Sequence, residues 1–587
     1  MSLSAGPAIA QRAPVSAAAE WPLWAAAILS AGLLELPFPI AGPLPAWRTV
    51  FAWFGLAPLL AAVLSKRTAE SRHPLRLGFL LAYLCGVLWY VGNCYWIYAT
   101  MLHYGSLAPW ICVLLLVGFS LVLGLYCGLF GLILSAVRQS VGDVRAALAL
   151  APFLWTALDL AAARITSVPW DQLGYSQIDN TFLTYLAPWT GVYGITFVLV
   201  AVNAVIAGTL LLKRCPSHCL ADRRLWSVAG VVLLTAGSLG GTIAPRSPQP
   251  SVTAVLVQPN LNVGADNTWA GAVWDRHIAQ FAALATEQCK SYIAGIPQTG
   301  APQGEVVCPP YPTYPELVVW PESPAPYVQS DPRLLAALGA IAQQEEAPMI
   351  VGGIGVNYDE QQQAWNDYNS ALVIGARGDL IGRYDKIHLV PFGEYIPFQN
   401  LLSFAHKLTG RVGAFSRGVA RRSFLLGAPG LAPHRYGIFI CYESVFADEV
   451  RLFARNGAQV LVNISDDGWY GDTSAPWQHL NMVRMRAVEN RRWILRDTNN
   501  GVTASIDPYG SVRQSIPRHR VDALPAQFAF RDDITFYTRY GDVFAWICAL
   551  LSLGIVFRAI EWPARKITKY TAVQSETTPG RAGGFIV

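Results

Sequence analysis

The sequence is poor in charged residues. Only 14% of its 587 residues are Asp, Glu, Lys or Arg, while 53% are hydrophobic. Soluble domains carry about 25% charged residues, so part of this chain is expected to lie in lipid. The formal net charge is only +5 and no dense basic tract is present, which argues against nucleic acid as a partner.

The sequence also lacks the spacings of a metal or nucleotide site. Its nine His and ten Cys never form two tightly spaced pairs of the kind that hold zinc. The stretch "GGIG" at 352–355 is only part of a dinucleotide-binding fingerprint. We therefore expect neither a metal nor a cofactor.

Long apolar runs are what the chain has in abundance. A hydrocarbon core of about 30 Å is crossed by a helix of about 20 apolar residues. Eight candidate spans are present, at 22–40, 49–64, 77–98, 108–136, 146–163, 185–212, 225–244 and 541–560. The expected order is a tail at 1–21, a seven-helix membrane domain at 22–245, a globular domain at 246–535, the eighth helix and a tail at 561–587.

The charges of the loops predict the orientation in the membrane. Lys and Arg cluster in the loops after the second, fourth and sixth spans and in the C-terminal tail. The opposite loops carry only Arg48 and Arg164. Because Lys and Arg favour the cytoplasmic side, both termini are expected inside, with the globular domain outside the cytoplasm.

Most of the cysteines have a simple interpretation. Five lie within apolar spans and are expected to pack as core residues: Cys85, Cys94, Cys112, Cys127 and Cys548. Cys289 and Cys308 flank a Pro/Gly-rich stretch of the external domain, where an oxidising compartment would permit a disulfide. Whether they pair stays open, and Cys441 needs another explanation.

The globular domain is predicted to be of the α/β class. Short β-rich runs occur at 252–258, 316–320, 349–356, 370–376, 436–441, 458–465 and 501–507. Helical patterns lie between some of them, at 331–346 and 478–493. Strands that alternate with helices, and that are apolar along nearly their whole length, indicate sheets covered on both faces.

Polar residues able to do chemistry cluster just after these strands. Glu322 stands in "WPES", Lys386 in "YDKIHLVPFGEYIP" and Cys441 in "CYESVF". In α/β folds such residues gather where strands give way to loops. A carboxylate that takes the thiol proton and an ammonium that stabilises negative charge would together activate a cysteine nucleophile.

Each of these residues also has a structural interpretation. A cysteine after a strand is most often a buried packing residue, Glu322 fits a helix cap, and Lys386 fits a surface charge. His388 is a rival base for Cys441, although a structural hydrogen bond suits it better.

Together the three stretches resemble the nitrilase (carbon–nitrogen hydrolase) superfamily. The resemblance implies an α-β-β-α sandwich that carries a Glu-Lys-Cys triad. By that resemblance Glu322 is the general base, Lys386 the electrostatic stabiliser, and Cys441 the nucleophile that becomes S-acylated.

The membrane spans narrow the resemblance to the apolipoprotein N-acyltransferases, a membrane-bound family of that superfamily. "VPWDQLGYSQID" at 168–179 and "RDTNNGVTASIDPYG" at 496–510 are similar to that family too. The resemblance implies supporting or substrate-binding roles for Glu394, Tyr442, Glu443, Trp274 and Trp469, with Trp269 a possible substitute for Trp274. Asp466, where the family usually has Asn, and a long insert near 290–312 depart from the pattern.

What the resemblance implies is an acyl transfer at a bacterial inner membrane, with the catalytic domain in the periplasm. A membrane phospholipid would be the acyl donor, a diacylglyceryl apolipoprotein the acceptor, and the enzyme a monomer surrounded by membrane lipids. Two other functions are compatible with the sequence. One is a membrane-tethered amidase or nitrilase that uses water, and the other is a transporter-like protein with a degenerate head domain.

Overall fold

The computed structural model describes residues 20–105, 107–212, 249–263, 272–293, 315–322, 327–361, 363–391, 393–395 and 415–576, without the side chains of 272, 287–293 and 560–576. Several expectations lie outside the described residues. They are the seventh span at 225–244, the insert near 290–312, the pairing of Cys289 with Cys308, and Trp269.

The N-terminal part of the chain is helical. Its α-helices are α1 Trp21–Glu35, α2 Ala57–Val63, α3 Lys66–Ala69, α4 Pro74–Asn93, α5 Trp96–His103, α6 Pro109–Val141, α7 Val144–Ala161, α8 Thr181–Thr184, α9 Ala187–Thr190 and α10 Val192–Leu211. Short 3-10 or π segments lie at Ala46–Trp53, Ala162–Thr166 and Leu173–Gln177.

Five helical segments of the described residues are long and apolar enough to cross a membrane. They are Ala46–Ala69, Pro74–Asn93, Pro109–Val141, Val144–Thr166 and Val192–Leu211. Trp21–Glu35 and Val543–Ala559 are shorter apolar helices, at the first and eighth predicted spans. Apolar helices thus lie at all seven predicted spans within the described residues, but only five have the length of a full span.

Glycines allow two of these helices to pack closely. A Cβ atom on Gly78 of α4 would lie 2.0 Å from Ser135 Oγ of α6, and one on Gly131 of α6 would lie 2.3 Å from the carbonyl oxygen of Gly78. Small residues at such crossings are typical of helices that associate in lipid. The predicted burial of the five membrane cysteines is confirmed.

Two six-stranded sheets form the centre of the globular domain. The strands are β1 Val252–Gln258, β2 Leu317–Trp320, β3 Met349–Asp359, β4 Ala364–Ile374, β5 Leu380–Asp385, β6 Ser423–Leu426, β7 His434–Ile440, β8 Val460–Ser465, β9 Ile494–Thr498, β10 Thr503–Ile506, β11 Val512–Ile516 and β12 Asp522–Phe528. Their order is β12-β1-β2-β3-β4-β5 in the first sheet and β11-β10-β9-β8-β7-β6 in the second.

The predicted sandwich follows from the alternation of side chains along the strands. In β1 and β2, Leu256 and Val319 join the core shared with the second sheet, whereas Val257 and Val318 face a separate core. Successive side chains point to opposite faces of a sheet, so both faces of the first sheet are buried.

Helices cover the outer faces of both sheets and complete the α-β-β-α order. They are α11 Ala272–Ile293 and α12 Pro332–Gln344 on the first sheet, and α13 Ala447–Arg455 and α14 Ala475–Asn490 on the second. α15 Phe536–Tyr540 and α16 Val543–Glu576 end the described chain.

Hydrogen bonds join the globular domain to the membrane domain beside the end of β7. The hydroxyl of Tyr442 donates to the carbonyl of Ser167 at 3.0 Å, and that of Tyr104 to the carbonyl of Gly468 at 2.7 Å. Arg164 forms ion pairs with Asp448 and Asp542. The membrane helices therefore lie against the edge of the sandwich where β7 and β8 end.

Candidate active site

The ends of three strands bring Glu322, Lys386 and Cys441 together, as the sequence predicts. Glu322 lies two residues after β2, and Lys386 and Cys441 follow β5 and β7 directly. β2 runs parallel to β3, and β5 runs antiparallel to β4, which is itself antiparallel to β3. Lys386 therefore leaves its strand at the same edge of the sheet as Glu322.

Lys386 forms a buried ion pair with two glutamates. Its Nζ lies 3.0 Å from Glu322 Oε1 and 2.9 Å from Glu394 Oε1, and its side chain is 1% exposed. Burial alone would lower the pKa of Lys386, but the charges of the two glutamates outweigh it and raise the pKa well above its usual value. Lys386 is thus a cation held in a fixed position, and Glu394 is one of the two residues that hold it there.

Two further hydrogen bonds hold Glu322 in its ionised form. Asn369 Nδ2 donates to Oε1 at 2.7 Å, and the backbone amide of Asp466 donates to Oε2 at 2.9 Å. Burial would raise the pKa of Glu322, but Lys386 and these bonds lower it below its usual value. A buried carboxylate that is ionised is ready to accept a proton.

Cys441 stands at a sharp turn between β7 and the 3-10 helix Cys441–Val445. Its φ angle of 47° lies in the left-handed region, which non-glycine residues rarely adopt outside functional turns. Burial raises the pKa of the thiol well above its usual value, and the charge of Glu322 raises it further. The charge of Lys386 lowers this pKa, but by less than Glu322 raises it. The resting sulfur is therefore a thiol that needs a base.

Glu443 fixes the turn. Its carboxylate accepts hydrogen bonds from the Tyr384 hydroxyl at 2.8 Å and from the backbone amides of Ile387, His388 and Ile440 at 2.7, 3.2 and 2.8 Å. It thereby ties the end of β7 to the loop that carries Lys386.

His388 is held by structural contacts. Its ring stacks on Phe446 with centroids 4.2 Å apart, and Nε2 lies 3.6 Å from Glu449. These contacts fit the structural interpretation better than a role as the base for Cys441.

Trp469 lies on the 3-10 helix Asp467–Tyr470, between the two domains. Its side chain is 41% exposed, and its ring meets that of Tyr104 edge to face at 5.4 Å. Trp96 and Trp170 of the membrane domain pack on Tyr470 at 5.4 and 6.1 Å. Aromatic side chains of the membrane domain therefore line the loop beside Glu322.

Trp274 contacts a different set of aromatic residues from Trp469. It is buried on the outer side of the first sheet, where its ring meets Tyr327 edge to face at 6.2 Å and Arg333 covers it at 4.6 Å. Among the described residues, the ring of Trp274 makes its edge-to-face and cation–π contacts with Tyr327 and Arg333 and not with the triad. Its substrate-binding role therefore stays a prediction.

Asn369 is a site residue that the sequence analysis did not find. Its Nδ2 donates to both Glu322 and Glu394, at 2.7 and 2.6 Å, and so bridges the two carboxylates. In the sequence, Asn369 is marked only as a polar residue directly before the apolar part of β4. Many exposed strand ends have a polar residue in the same position, so this pattern does not indicate a site. Only the pairing of β4 with β5, where Lys386 N donates to Asn369 O, shows its position.

The sandwich and the Glu-Lys-Cys site define a protein of the carbon–nitrogen hydrolase class, and residues 277–520 match the Carbon-nitrogen hydrolase family. Residues 17–205 match the Apolipoprotein N-acyltransferase N-terminal domain. The chain belongs to the apolipoprotein N-acyltransferase family.

Similar proteins cover nearly the whole chain. An Apolipoprotein N-acyltransferase of Geobacter metallireducens is 34% identical over 91% of this chain and 95% of its own length. One of Methylococcus capsulatus is 31% identical over 94% of this chain and 98% of its own length. Among solved structures, Saccharomyces cerevisiae Nit3, a member of branch 10 of the nitrilase superfamily, is 17% identical, covers 49% of this chain and 92% of its own, and has a TM-score of 0.33.

Proposed function

We propose that this protein transfers a fatty acyl chain from a membrane phospholipid to the α-amine of an N-terminal S-diacylglyceryl-cysteine on an apolipoprotein. Cys441 carries the chain between the two substrates as a thioester. The observation that carries the proposal is the buried Glu322–Lys386 pair beside Cys441, at the edge of the sandwich that contacts the membrane domain.

In the first half-reaction, Cys441 Sγ attacks the ester carbonyl of the phospholipid while Glu322 takes the thiol proton. The ester oxygen leaves with that proton as the hydroxyl of a lysophospholipid, and the acyl chain stays on sulfur. Lys386 stabilises the negative charge on the carbonyl oxygen during the step, which is the role of a fixed cation in a dry site.

In the second half-reaction, the α-amine of the apolipoprotein attacks the thioester. Glu322 accepts a proton from the nitrogen and passes it to the departing sulfur, so an amide forms and the Cys441 thiol returns. One carboxylate therefore serves both halves, since the proton it takes in each half is given to the leaving group.

The membrane domain gives both substrates a common location. The acyl chains of donor and acceptor lie in the bilayer, so a head domain held at the lipid surface brings each reactive carbon within reach of one sulfur. The distribution of Lys and Arg among the loops supports an orientation with residues 246–535 outside the cytoplasm, which for a protein of the bacterial inner membrane is the periplasm.

Intact-mass spectrometry tests the proposal. Purified protein incubated with phospholipid vesicles is expected to gain the mass of one fatty acyl group and to lose it when a diacylglyceryl-cysteinyl peptide is added. Cys441→Ala removes the gain, whereas Cys548→Ala, a matched change at another buried cysteine, leaves it unchanged. An adduct on Cys441→Ala would contradict the proposal, and discharge by water alone at the same rate would favour a hydrolase.

A further inference from the structure

A buried histidine contacts the main chain of the nucleophile. His479 of α14 is fully buried, and its Nε2 lies 3.1 Å from the carbonyl oxygen of Cys441 and 2.6 Å from Ser444 Oγ. Its Nδ1 lies 2.9 Å from Asp467 Oδ1. The acyl transfer described above assigns no role to this ring.

Asp467 orients the ring. Burial would raise the pKa of Asp467, but the charges of Arg496 and His479 outweigh it and hold the pKa well below its usual value. Arg496 Nη2 lies 3.2 Å from His479 Nδ1 but is closer to Asp467 Oδ2, at 2.6 Å. An ionised carboxylate can only accept, so Nδ1 carries a proton toward Asp467.

The other end of the ring then faces the turn. A carbonyl oxygen can only accept a hydrogen bond, so Nε2–H is the donor in the 3.1 Å contact with Cys441. The Ser444 hydroxyl is able to accept from the same N–H. His479 thereby holds the carbonyl of Cys441 toward the buried side of the turn.

Holding this carbonyl also sets the direction of the next amide. A peptide group is planar and trans, so the C=O of Cys441 and the N–H of Tyr442 point in opposite directions. Tyr442 is the second residue of the helix Cys441–Val445, and an N–H at the start of a helix has no acceptor within it. The amide of Tyr442 therefore points away from His479, on the side of the turn where the helix offers it no acceptor.

We propose that His479 is a positioning residue for the acyl transfer. It fixes the peptide between Cys441 and Tyr442 so that the Tyr442 amide donates a hydrogen bond to the carbonyl oxygen of the acyl group, opposite the charge of Lys386. The inference rests on the proposed function, because it needs an acyl group on Cys441. His479 itself touches neither substrate.

The membrane domain contributes to this arrangement. Trp170 stacks on the His479 ring with centroids 6.3 Å apart and an angle of 15° between the planes. The same Trp170 donates its Nε1–H to the side chain of Gln478, the residue before His479, at 2.9 Å. The ring that holds the turn is thus packed between the nucleophile and the membrane domain.

Two substitutions at His479 separate positioning from general damage. His479→Gln keeps a donor near the place of Nε2, whereas His479→Asn keeps one only near Nδ1. We expect acyl-enzyme formation from phospholipid vesicles to fall by about 10²- to 10³-fold in His479→Asn, the usual effect of losing one oxyanion donor, and by less in His479→Gln. Alkylation of Cys441 by iodoacetamide, which needs no oxyanion donor, should change less than about threefold. His434→Gln, at the other end of β7, is the matched control.

Infrared spectroscopy of the acyl-enzyme made with a ¹³C-labelled acyl carbonyl gives a second measurement. It can be made on the wild-type protein alone, by comparing the folded and unfolded acyl-enzyme. In wild type the thioester carbonyl stretch should lie below that of the same thioester in unfolded protein, and it should rise in His479→Asn. Equal stretches in folded and unfolded wild type, or equal losses of acylation and alkylation in both variants, would overturn the inference. A wild type that forms no acyl-enzyme would overturn the proposed function and, with it, this inference.

Discussion

The backbone amide of Asp466 donates a hydrogen bond to Glu322 Oε2 at 2.9 Å, which places a second buried carboxyl group beside the catalytic base. The side chain of Asp466 accepts hydrogen bonds from the amide of Gly468 at 3.0 Å and from Asn499 Nδ2 at 3.2 Å. Burial, and then the charge of Glu322, raise the pKa of Asp466 to about 8. Asp466 is therefore protonated at neutral pH and ionises in mildly alkaline solution.

The first prediction concerns the pH dependence of acyl-enzyme formation. Interaction between two charges is reciprocal, so ionised Asp466 acts to raise the pKa of Glu322 and makes it a stronger base for the Cys441 thiol. We expect the wild-type rate to rise by up to about tenfold as the pH rises through 8, the effect of about one pKa unit of interaction. Asp466→Asn should remove this rise.

The matched control is Asp472→Asn, in the same loop but with an 80% exposed side chain. It should keep the wild-type profile. The rate of thioester formation between pH 6.5 and pH 9.5, followed by intact mass, checks both variants. An unchanged alkaline rise in Asp466→Asn would show that another group titrates there.

The second prediction concerns Asn369, which joins the two glutamates around Lys386. Asn369→Ala removes two hydrogen bonds to charged groups, and the loss of about one such bond, 1.5–3 kcal/mol, from the transition state would slow acyl-enzyme formation by roughly 10- to 100-fold. Asn369→Asp should be worse, since it adds a third carboxylate. Asn366→Ala, three residues earlier on β4, should keep the wild-type rate. A wild-type rate in Asn369→Asp would contradict the bridging role.

The third prediction separates the two candidate bases. Glu322→Gln should slow thioester formation by about 10²- to 10⁴-fold, the usual contribution of a general base. His388→Ala should stay within about threefold of wild type, because the ring lies against Phe446 and Glu449. Single-turnover acylation in phospholipid vesicles measures both variants. The opposite ranking would favour a Cys-His mechanism.

Seven of the twelve described strands, and the positions of Glu322 and Cys441 at strand ends, were predictable because each depends on a local pattern. β1 was predicted at 252–258 and is observed at Val252–Gln258, since its apolar run ends at polar residues on both sides. The turn at Cys441 follows from the break in the apolar pattern after Ile440. Glu322 and Lys386 follow strands that end at the same edge of a sheet, and their motifs resemble one family.

Asn369 and His479 were not predictable in the same way. Asn369 reaches Glu322 across a sequence separation of 47 residues, and His479 reaches the Cys441 carbonyl across 38. Such contacts depend on strand pairing and on which face of α14 meets the turn, neither of which a local pattern determines. His479 stands in a helical segment where a buried polar residue and a surface one look alike in sequence.

The last prediction concerns stability, at a carboxyl group at the opposite end of β2 from Glu322. Glu316, directly before β2, is 4% exposed, and its Oε1 has no hydrogen-bond partner among the described residues. Burial raises the pKa of Glu316 from 4.5 to about 7. The folded protein therefore holds a proton that the unfolded chain releases, so the stabilising contribution is complete below pH 4.5 and is lost as the pH rises through 7.

Glu316→Gln should remove this dependence, because its side chain stays neutral. We expect the thermal unfolding midpoint of the purified variant to exceed that of wild type at pH 8, with the difference shrinking toward pH 5. Glu360→Gln, on the exposed β3–β4 hairpin, is the control and should shift neither midpoint. A wild-type advantage at pH 8 would mean that Glu316 is ionised and paired in the folded protein, and would contradict its burial as a neutral acid.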